Sequence, residues 1–318
     1  MQIPKYILPL HLGPNLVSEP CAMTLQEIET LRKKYYNATV SQIIECDEGL
    51  WRIRIKPDGP MQAFHPGQYT TIGLGTWEPR HPKAQPEPPN PANEGKLLRR
   101  AYSMSHPMLD DETHHLIAPE KVDYYEFYIT LVLQGDDPKK PPAFTPRLFS
   151  TQEGDRISFG PKITGHYTLE SVDLAKTPTL FFFATGTGEA PHNAMIWHLL
   201  SKGYCGQIVS AVTTRHKTEQ AYRSVHETLI QKFPNYHYIP IATRDGGPKV
   251  YIQDLITQGV LEKDYPVKID PQTAHVFLCG NPAMITGDKG VVKVLEGRGF
   301  TVYGVKNPQG QIHFESYW

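Results

Sequence analysis

The chain is poor in cysteine. Its 318 residues hold four, Cys21, Cys46, Cys205 and Cys279, and no two form a C-x-x-C pair. Iron–sulfur and zinc sites draw on clustered thiolates, so neither is expected, and a reduced, cytoplasmic protein is the simplest inference. No H-E-x-x-H occurs among the 14 histidines, and the pair His114–His115 sits in a polar stretch that reads as solvated. The formal net charge of -1 makes no global electrostatic case for nucleic acid. No apolar run is long enough to span a bilayer; the longest, "TPTLFFFATG", is bounded by turn residues and reads as a buried strand. The first twenty residues lack a charged region followed by a long apolar one, so no signal peptide is expected.

What is present changes character along the chain. Residues 1–36 read as an N-terminal extension, with a helix in "TLQEIETLRKKYY" that puts Leu25, Ile28 and Leu31 on one face and is capped by Thr24. Then come "YNATVSQIIEC", "LWRIRIKP", "GQYTTIGL", "RRAYSMS", "YYEFYITLVL" and "DRISFGP". These are short, rich in β-branched and aromatic residues, and separated by Gly, Pro and Asp, the pattern of an antiparallel sandwich or barrel. The proline-rich "TWEPRHPKAQPEPPNPANEGK" interrupts them as a long exposed loop. After "SVDLAKTP", four apolar strands beginning with "TLFFFATG" alternate with helical stretches, which argues for a doubly wound parallel sheet. The expected organisation is a β domain over 37–173 and an α/β domain over 178–318.

Ligands of doubly wound sheets bind beyond the carboxyl ends of the strands. Two such ends stand out. In "ATGTGEAPH", Gly186 and Gly188 flank Thr187 where the first strand ends, which suits either close backbone approach to a ligand or a tight turn alone. In "VFLCGNPAM", Asn281 and Pro282 suit the start of a helix, whereas Cys279 at the strand mouth is either a buried hydrophobe or a functional group. In "LLRRAYSMSHP", strand alternation puts Arg100 and Tyr102 on one face and Ser103 on the other, suiting a flat anionic ligand or a half-exposed edge strand. The chain ends on "HFESYW", whose aromatics either staple the terminus to the core or cover a flat ring.

Taken together these pieces resemble the ferredoxin/flavodoxin–NADP+ reductase family. R-A-Y-S at 100–103 resembles its flavin motif R-x-Y-S, and "ATGTGEAP" at 184–191 its G-T-G-x-A-P loop. "LCGNPAM" at 278–284 resembles C-G-N-P-x-M, "FTPRL" at 144–148 its second flavin-phosphate segment, and E-x-Y-W at 315–318 its bacterial-type tail. The resemblance covers roughly 37–318; the first 36 residues and the proline-rich loop depart from a minimal member. It implies a Greek-key barrel holding FAD, followed by a Rossmann-like domain holding NADP(H). Arg100 would pair with the FAD pyrophosphate, Tyr102 would stack on the isoalloxazine and Ser103 would hydrogen-bond near N5, with Ala101, Tyr128 and Thr130 beside them. Thr145 would hold the phosphates, Tyr317 would lie over the far face of the ring as a gate, and Trp318 would reach the adenine. Thr185, Gly186, Thr187 and Gly188 would meet the NADP pyrophosphate, joined by Gly280, Asn281 and Met284. Cys279 and Glu315 would flank the nicotinamide, so Ser103, Cys279, Glu315 and Tyr317 form the implied catalytic group.

"TTRHKTEQAY" supplies Arg215 and Lys217 for a 2′-phosphate and Tyr222 as an adenine plate, and Arg244 after the third strand offers a further cation. Glu219, the only nearby acid, is expected further into the following helix, which favours NADP over NAD. The implied activity is hydride exchange between NADP(H) and FAD, and single-electron exchange with an acidic ferredoxin or flavodoxin docked near Arg99, Lys96, Lys289 and Lys293. Three rivals differ in recognisable ways. A subunit of a larger oxidoreductase often carries a cysteine cluster, absent here. A cytochrome b5 reductase-like enzyme would prefer NADH, against Arg215 and the tail. A non-catalytic module would not need Ser103, Cys279 and Glu315 together.

Overall fold

The computed structural model describes residues 23–247 and 249–317. Thr24 caps the first helix, α1 (Leu25–Tyr35), in a reciprocal capping box with Glu27. Ile28 and Leu31 pack on the sheet below, as their spacing predicts, but Leu25 is exposed.

Six strands follow: β1 (Ala38–Asp47), β2 (Leu50–Pro57), β3 (Tyr69–Gly75), β4 (Leu97–Ser103), β5 (Tyr125–Thr130) and, after the short helix α2 (Thr145–Leu148), β6 (Arg156–Phe159). Their order is β4-β3-β6-β1-β2-β5, and every pair is antiparallel. The two edges meet just past β4, where the Ser105 N–H donates to the Glu126 carbonyl at 2.8 Å and curls the sheet into a barrel. Period-two alternation then assigns faces. Ile53, Ile55, Tyr125, Phe127 and Ile129 fill the barrel. Their neighbours Arg52, Arg54, Glu126 and Tyr128 point outward.

The second half runs β7 (Thr179–Thr185), α3 (Glu189–Ser201), β8 (Gln207–Thr214), α4 (Arg223–Lys232), β9 (Tyr236–Ala242), α5 (Ile252–Thr257), α6 (Val260–Asp264), β10 (Ala274–Gly280), α7 (Pro282–Ile285), α8 (Val291–Glu296) and β11 (Ile312–Ser316). The sheet is wholly parallel, in the order β11-β10-β7-β8-β9. In β7, Phe181 and Phe183 pack with residues of α5 to α8, while Leu180, Phe182 and Ala184 pack with α3 and α4. Apolar side chains on both faces are what a central parallel strand requires. The expected fold class therefore holds, with three local differences. The helix over 250–261 is two helices, because Gly259 between them sits at φ +67°. The stretch after β10 likewise breaks into α7 and α8. Residues Ile312–Ser316 add a fifth strand to the four expected.

The two halves share one core, in which Leu50, Met108 and Tyr128 pack with α3, β8 and β9. His106 belongs to this seam. Its ring stacks on Trp197 at 4.0 Å, its Nδ1 accepts the Met108 N–H at 2.9 Å, and burial lowers its pKa to about 3. Between that value and the ordinary 6.5, the unfolded chain binds a proton that the native state refuses. Stability thus falls as pH drops below 6.5. We expect His106→Asn, which keeps an acceptor near Nδ1, to lose stability less steeply than the parent between pH 6 and pH 4, measured as urea midpoints; parallel curves would contradict this.

Candidate functional site

A cavity of about 1350 Å³ opens between the halves, lined by β4, β5 and α2 on one side and by the carboxyl ends of β7, β8, β10 and β11 on the other. At its floor the halves touch: the Ser103 hydroxyl donates to Glu315 Oε2 at 2.8 Å. Parallel pairing puts Glu315 opposite Cys279. The Tyr317 side chain lies beside both Ser103 and Cys279, and its backbone N–H donates to the Gly280 carbonyl at 2.9 Å, extending the ladder. The four residues implied as catalytic are thus brought together. Trp318 lies outside the described residues.

Burial sets the charge states here. It pushes the Cys279 thiol and the Tyr317 phenol well above their usual values, so both are neutral, and it raises the Glu315 carboxyl against the Ser103 hydrogen bond. A neutral, fully buried Cys279 is not a nucleophile; it walls the cluster without lining the cavity.

On the barrel side, Arg100, Ala101, Tyr102, Tyr128, Thr130 and Thr145 all line the cavity. Tyr102 leans on Phe144 at 5.9 Å, and Thr145 Oγ1 accepts the Val132 N–H at 3.1 Å. The exposed Arg100 guanidinium reaches only the Arg99 carbonyl, at 3.0 Å, and has no carboxylate partner among the described residues. On the other side Thr185, Gly186, Thr187, Asn281 and Met284 line the cavity. Gly186 stands at φ +51° with nothing within 4 Å of where a side chain would start. Gly188 and Gly280 do not line it. A Cβ on Gly188 would lie 2.3 Å from the Cys279 carbonyl, and one on Gly280 2.3 Å from Thr185 Oγ1, so both glycines serve the packing of one turn on the other.

The turn after β8 differs most from its expected form. Tyr222 is no adenine plate: it is fully buried, its hydroxyl donating to Glu126 Oε1 at 2.8 Å and accepting from the Ser105 hydroxyl at 2.9 Å. Glu219 is not in the following helix either. It ends a 3-10 turn and folds back, its Oε2 accepting the Arg215 N–H at 2.8 Å and its Oε1 pairing the Arg215 guanidinium at 2.7 Å. Arg215 and Glu219 both line the cavity. Arg244 is exposed, outside the lining, and donates its backbone N–H to the Arg215 carbonyl at 2.8 Å. Of the cations expected near the mouth, Lys293 pairs with Asp288 at 3.2 Å, while Lys96, Arg99 and Lys289 have no ion pair among the described residues.

Sequence reasoning missed the cluster beneath Tyr222. Glu126, almost without exposure, takes Arg54 Nε at 2.8 Å and Arg52 Nη2 at 3.2 Å, and the Arg52 guanidinium lies 4.3 Å over the Tyr222 ring. Burial pushes the Glu126 carboxyl up, but the two arginines more than reverse this and hold it below its usual value. The available signal was a lone acid in the otherwise apolar "YYEFYIT", which the strand pairing sets opposite Arg54 and diagonal to Arg52.

Comparison with known proteins agrees with this architecture. Residues 182–289 match the family model for the oxidoreductase NAD-binding domain. The flavodoxin/ferredoxin–NADP reductase of Buchnera aphidicola subsp. Schizaphis graminum is 24% identical over 290 residues, 89% of this chain and 99% of that one. A ferredoxin NADP+ reductase from Neisseria gonorrhoeae, solved with bound FAD and NADP, superposes with a TM-score of 0.67 at 18% identity, covering 89% of this chain and 98% of that one. The CS-b5R domains of human Ncb5or in the NAD+ form give 0.62 at 18% identity, covering 88% and 69%. The family match and the relatives support the class of a two-domain oxidoreductase with a nicotinamide-nucleotide half. Within that class the chain is similar, at 24–25% identity, to proteins named flavodoxin/ferredoxin–NADP reductase, the name of the family its motifs resemble.

A raised Glu315 pKa has a measurable sign. Above the ordinary 4.5 the native state holds a proton that the unfolded chain has released, so stability falls as pH rises through that window. The stability difference between the parent and Glu315→Gln should therefore move in favour of the variant from pH 4 to pH 6.5. A difference independent of pH would mean that Glu315 titrates normally.

Proposed function

We propose that this chain is an FAD-dependent oxidoreductase that exchanges a hydride with NADP(H) and single electrons with a ferredoxin or flavodoxin. The observation that carries the reading is the Ser103–Glu315 contact, which sets a hydroxyl from the barrel against a carboxylate from the nucleotide half beside Cys279 and Tyr317. The names of the relatives favour the same reading. We assign the flavin to the half over 37–173 and the coenzyme to the half over 178–318, and we place the enzyme in a reducing cytoplasm, in keeping with the free thiols of Cys46, Cys205 and Cys279.

The residues present fit FAD. Arg100 offers an unpaired guanidinium to a pyrophosphate, Tyr102 a ring face to an isoalloxazine, and Thr130 and Thr145 hydroxyls to phosphates and sugar. The open space above Gly186 and Thr187 leaves room for the coenzyme's pyrophosphate. Bound flavin supplies the exchange between two-electron and one-electron chemistry. The chain's own part is positional. Ser103 presents a hydroxyl at the cavity floor that would serve a bound flavin and nicotinamide, Glu315 orients that hydroxyl, and neutral Cys279 backs the site without adding charge. Tyr317 spans Ser103 and Cys279, so it must swing out for a nicotinamide to reach the same place, and the tail acts as a gate. The unpaired Lys96, Arg99 and Lys289 suit an acidic carrier.

The purified protein should be yellow, and its visible flavin band should bleach anaerobically on adding NADPH. A colourless protein, or a flavin indifferent to both coenzymes, would sink the reading. NADH as the working coenzyme is a second reading, favoured by one observation: Glu219 already occupies the Arg215 guanidinium. Arg215→Glu separates the two. If Arg215 meets the 2′-phosphate, its reversal lowers kcat/KM for NADPH by about 10–100-fold, the weight of a charge-assisted hydrogen bond, with little change for NADH. Equal effects on both coenzymes would favour the second reading.

A further inference from the structure

The proline-rich segment between β3 and β4 is no loose appendage. We propose that it is a clasp on the flavin-phosphate end of the cavity, and that Glu87 is its positioning residue; this rests on the reading of the cavity as an FAD site.

One carboxylate oxygen, Glu87 Oε2, lies 2.6 Å from Arg147 Nη2 and 3.5 Å from Arg80 Nε. Each of these guanidiniums then holds a backbone carbonyl of the cavity wall. Arg80 Nη2 donates to the Pro142 carbonyl at 2.9 Å, and Arg147 Nη1 to the Ala143 carbonyl at 2.7 Å. Pro142 and Ala143 line the cavity, as do Phe144 and Thr145 after them. A trans peptide is planar, with its N–H opposed to its C=O. Fixing the Ala143 carbonyl on Arg147 therefore fixes the direction of the Phe144 N–H beside Thr145.

Further contacts fasten the same two stretches. The Gln85 N–H donates to the Leu133 carbonyl at 2.8 Å and its Nε2 to the Pro138 carbonyl at 2.6 Å, while the Gly135 N–H donates to Gln85 Oε1 at 3.1 Å. The His81 N–H donates to the Pro146 carbonyl at 2.8 Å, inside α2. Glu87 is nonetheless the hub. Arg147 is only 4% exposed, and a buried guanidinium stripped of its counter-ion is costly. Without Glu87 two cations face each other with no carboxylate between them, and the segment over 142–145 loses its fixed orientation. Proline explains how the clasp stays shaped: the loop has little chain entropy to regain by lifting away.

The test uses the full chain, stripped of flavin and reconstituted. Glu87→Ala should weaken FAD binding by about tenfold, the weight of one such contact, and speed FAD release, read from the fluorescence of freed flavin. Riboflavin has the ring but no phosphate, so its affinity should stay that of the parent. Arg80→Gln, a milder change at the clasp's outer limb, should move FAD in the same direction. FAD binding unchanged in both variants overturns the proposal. Equal losses for FAD and riboflavin also overturn it, because they report general loosening. A parent chain that binds no flavin brings down the underlying functional reading, and the clasp with it; a parent that binds FAD beside two indifferent variants brings down the clasp alone.

Discussion

Glu126 is a carboxylate without water, and the arrangement of the two halves depends on it. It sits on β5 facing away from the barrel core, neutralised by Arg52 and Arg54 from the adjacent strand and reached from the other half by the Tyr222 hydroxyl. A buried ion cluster of this kind adds little net stability over a well-packed apolar seam, but losing one member costs about 3–5 kcal/mol because a charge is left bare. Its effect is on geometry. An apolar seam tolerates sliding, whereas a carboxylate that must keep three donors does not. The same site closes the barrel, since the Glu126 carbonyl takes the Ser105 N–H and Ser105 Oγ meets Tyr222. Barrel closure and the placing of the second half rest on the same residues.

The cavity inherits that rigidity. Besides the Glu126 cluster, the seam holds the Tyr128 hydroxyl on the Glu219 carbonyl at 2.7 Å, Trp197 Nε1 on the Ile117 carbonyl at 3.0 Å, and the stack of His106 on Trp197. Opening the halves would break all of these together. Displacing Tyr317 breaks one backbone hydrogen bond beyond the last strand and the contacts of one phenol. By that comparison, the proposed gate asks less of the structure at the tail than an opening of the seam would.

Much of this was legible in the sequence. Period two in "LWRIRIKP" and unbroken apolarity in "TLFFFATG" separate a half-buried barrel strand from a central parallel one, and the motifs stand at strand ends in the right order. The failures at the site share a cause: each concerns a polar side chain whose partner lies far along the chain or folds back locally. Nothing near Tyr222 indicates that Glu126, 96 residues earlier, takes its hydroxyl. Glu219 was expected on a helix because "KTEQAYRSVHE" has helical composition, but the chain first makes a 3-10 turn that returns the carboxylate to Arg215. The last strand was missed because its five residues only read as a strand once β10 is there to pair with.

The glycine motifs make a related point about what a fingerprint encodes. Gly188 is glycine because the Cys279 carbonyl lies against its Cα, and Gly280, at φ +121°, because Thr185 does. Thr185 Oγ1 then accepts the Asn281 N–H at 2.7 Å. "ATGTGEAP" and "LCGNPAM" are therefore one joint read in two places, each supplying the small residue that lets the other approach. Of the three motif glycines, Gly186 alone faces open cavity. The joint fixes where β10 ends, hence where β11 can pair, and so where Glu315 meets Ser103. A side chain at Gly188 or Gly280 would disturb that meeting without touching any ligand, which is why glycine at these positions reports on the shape of the site more than on the nucleotide.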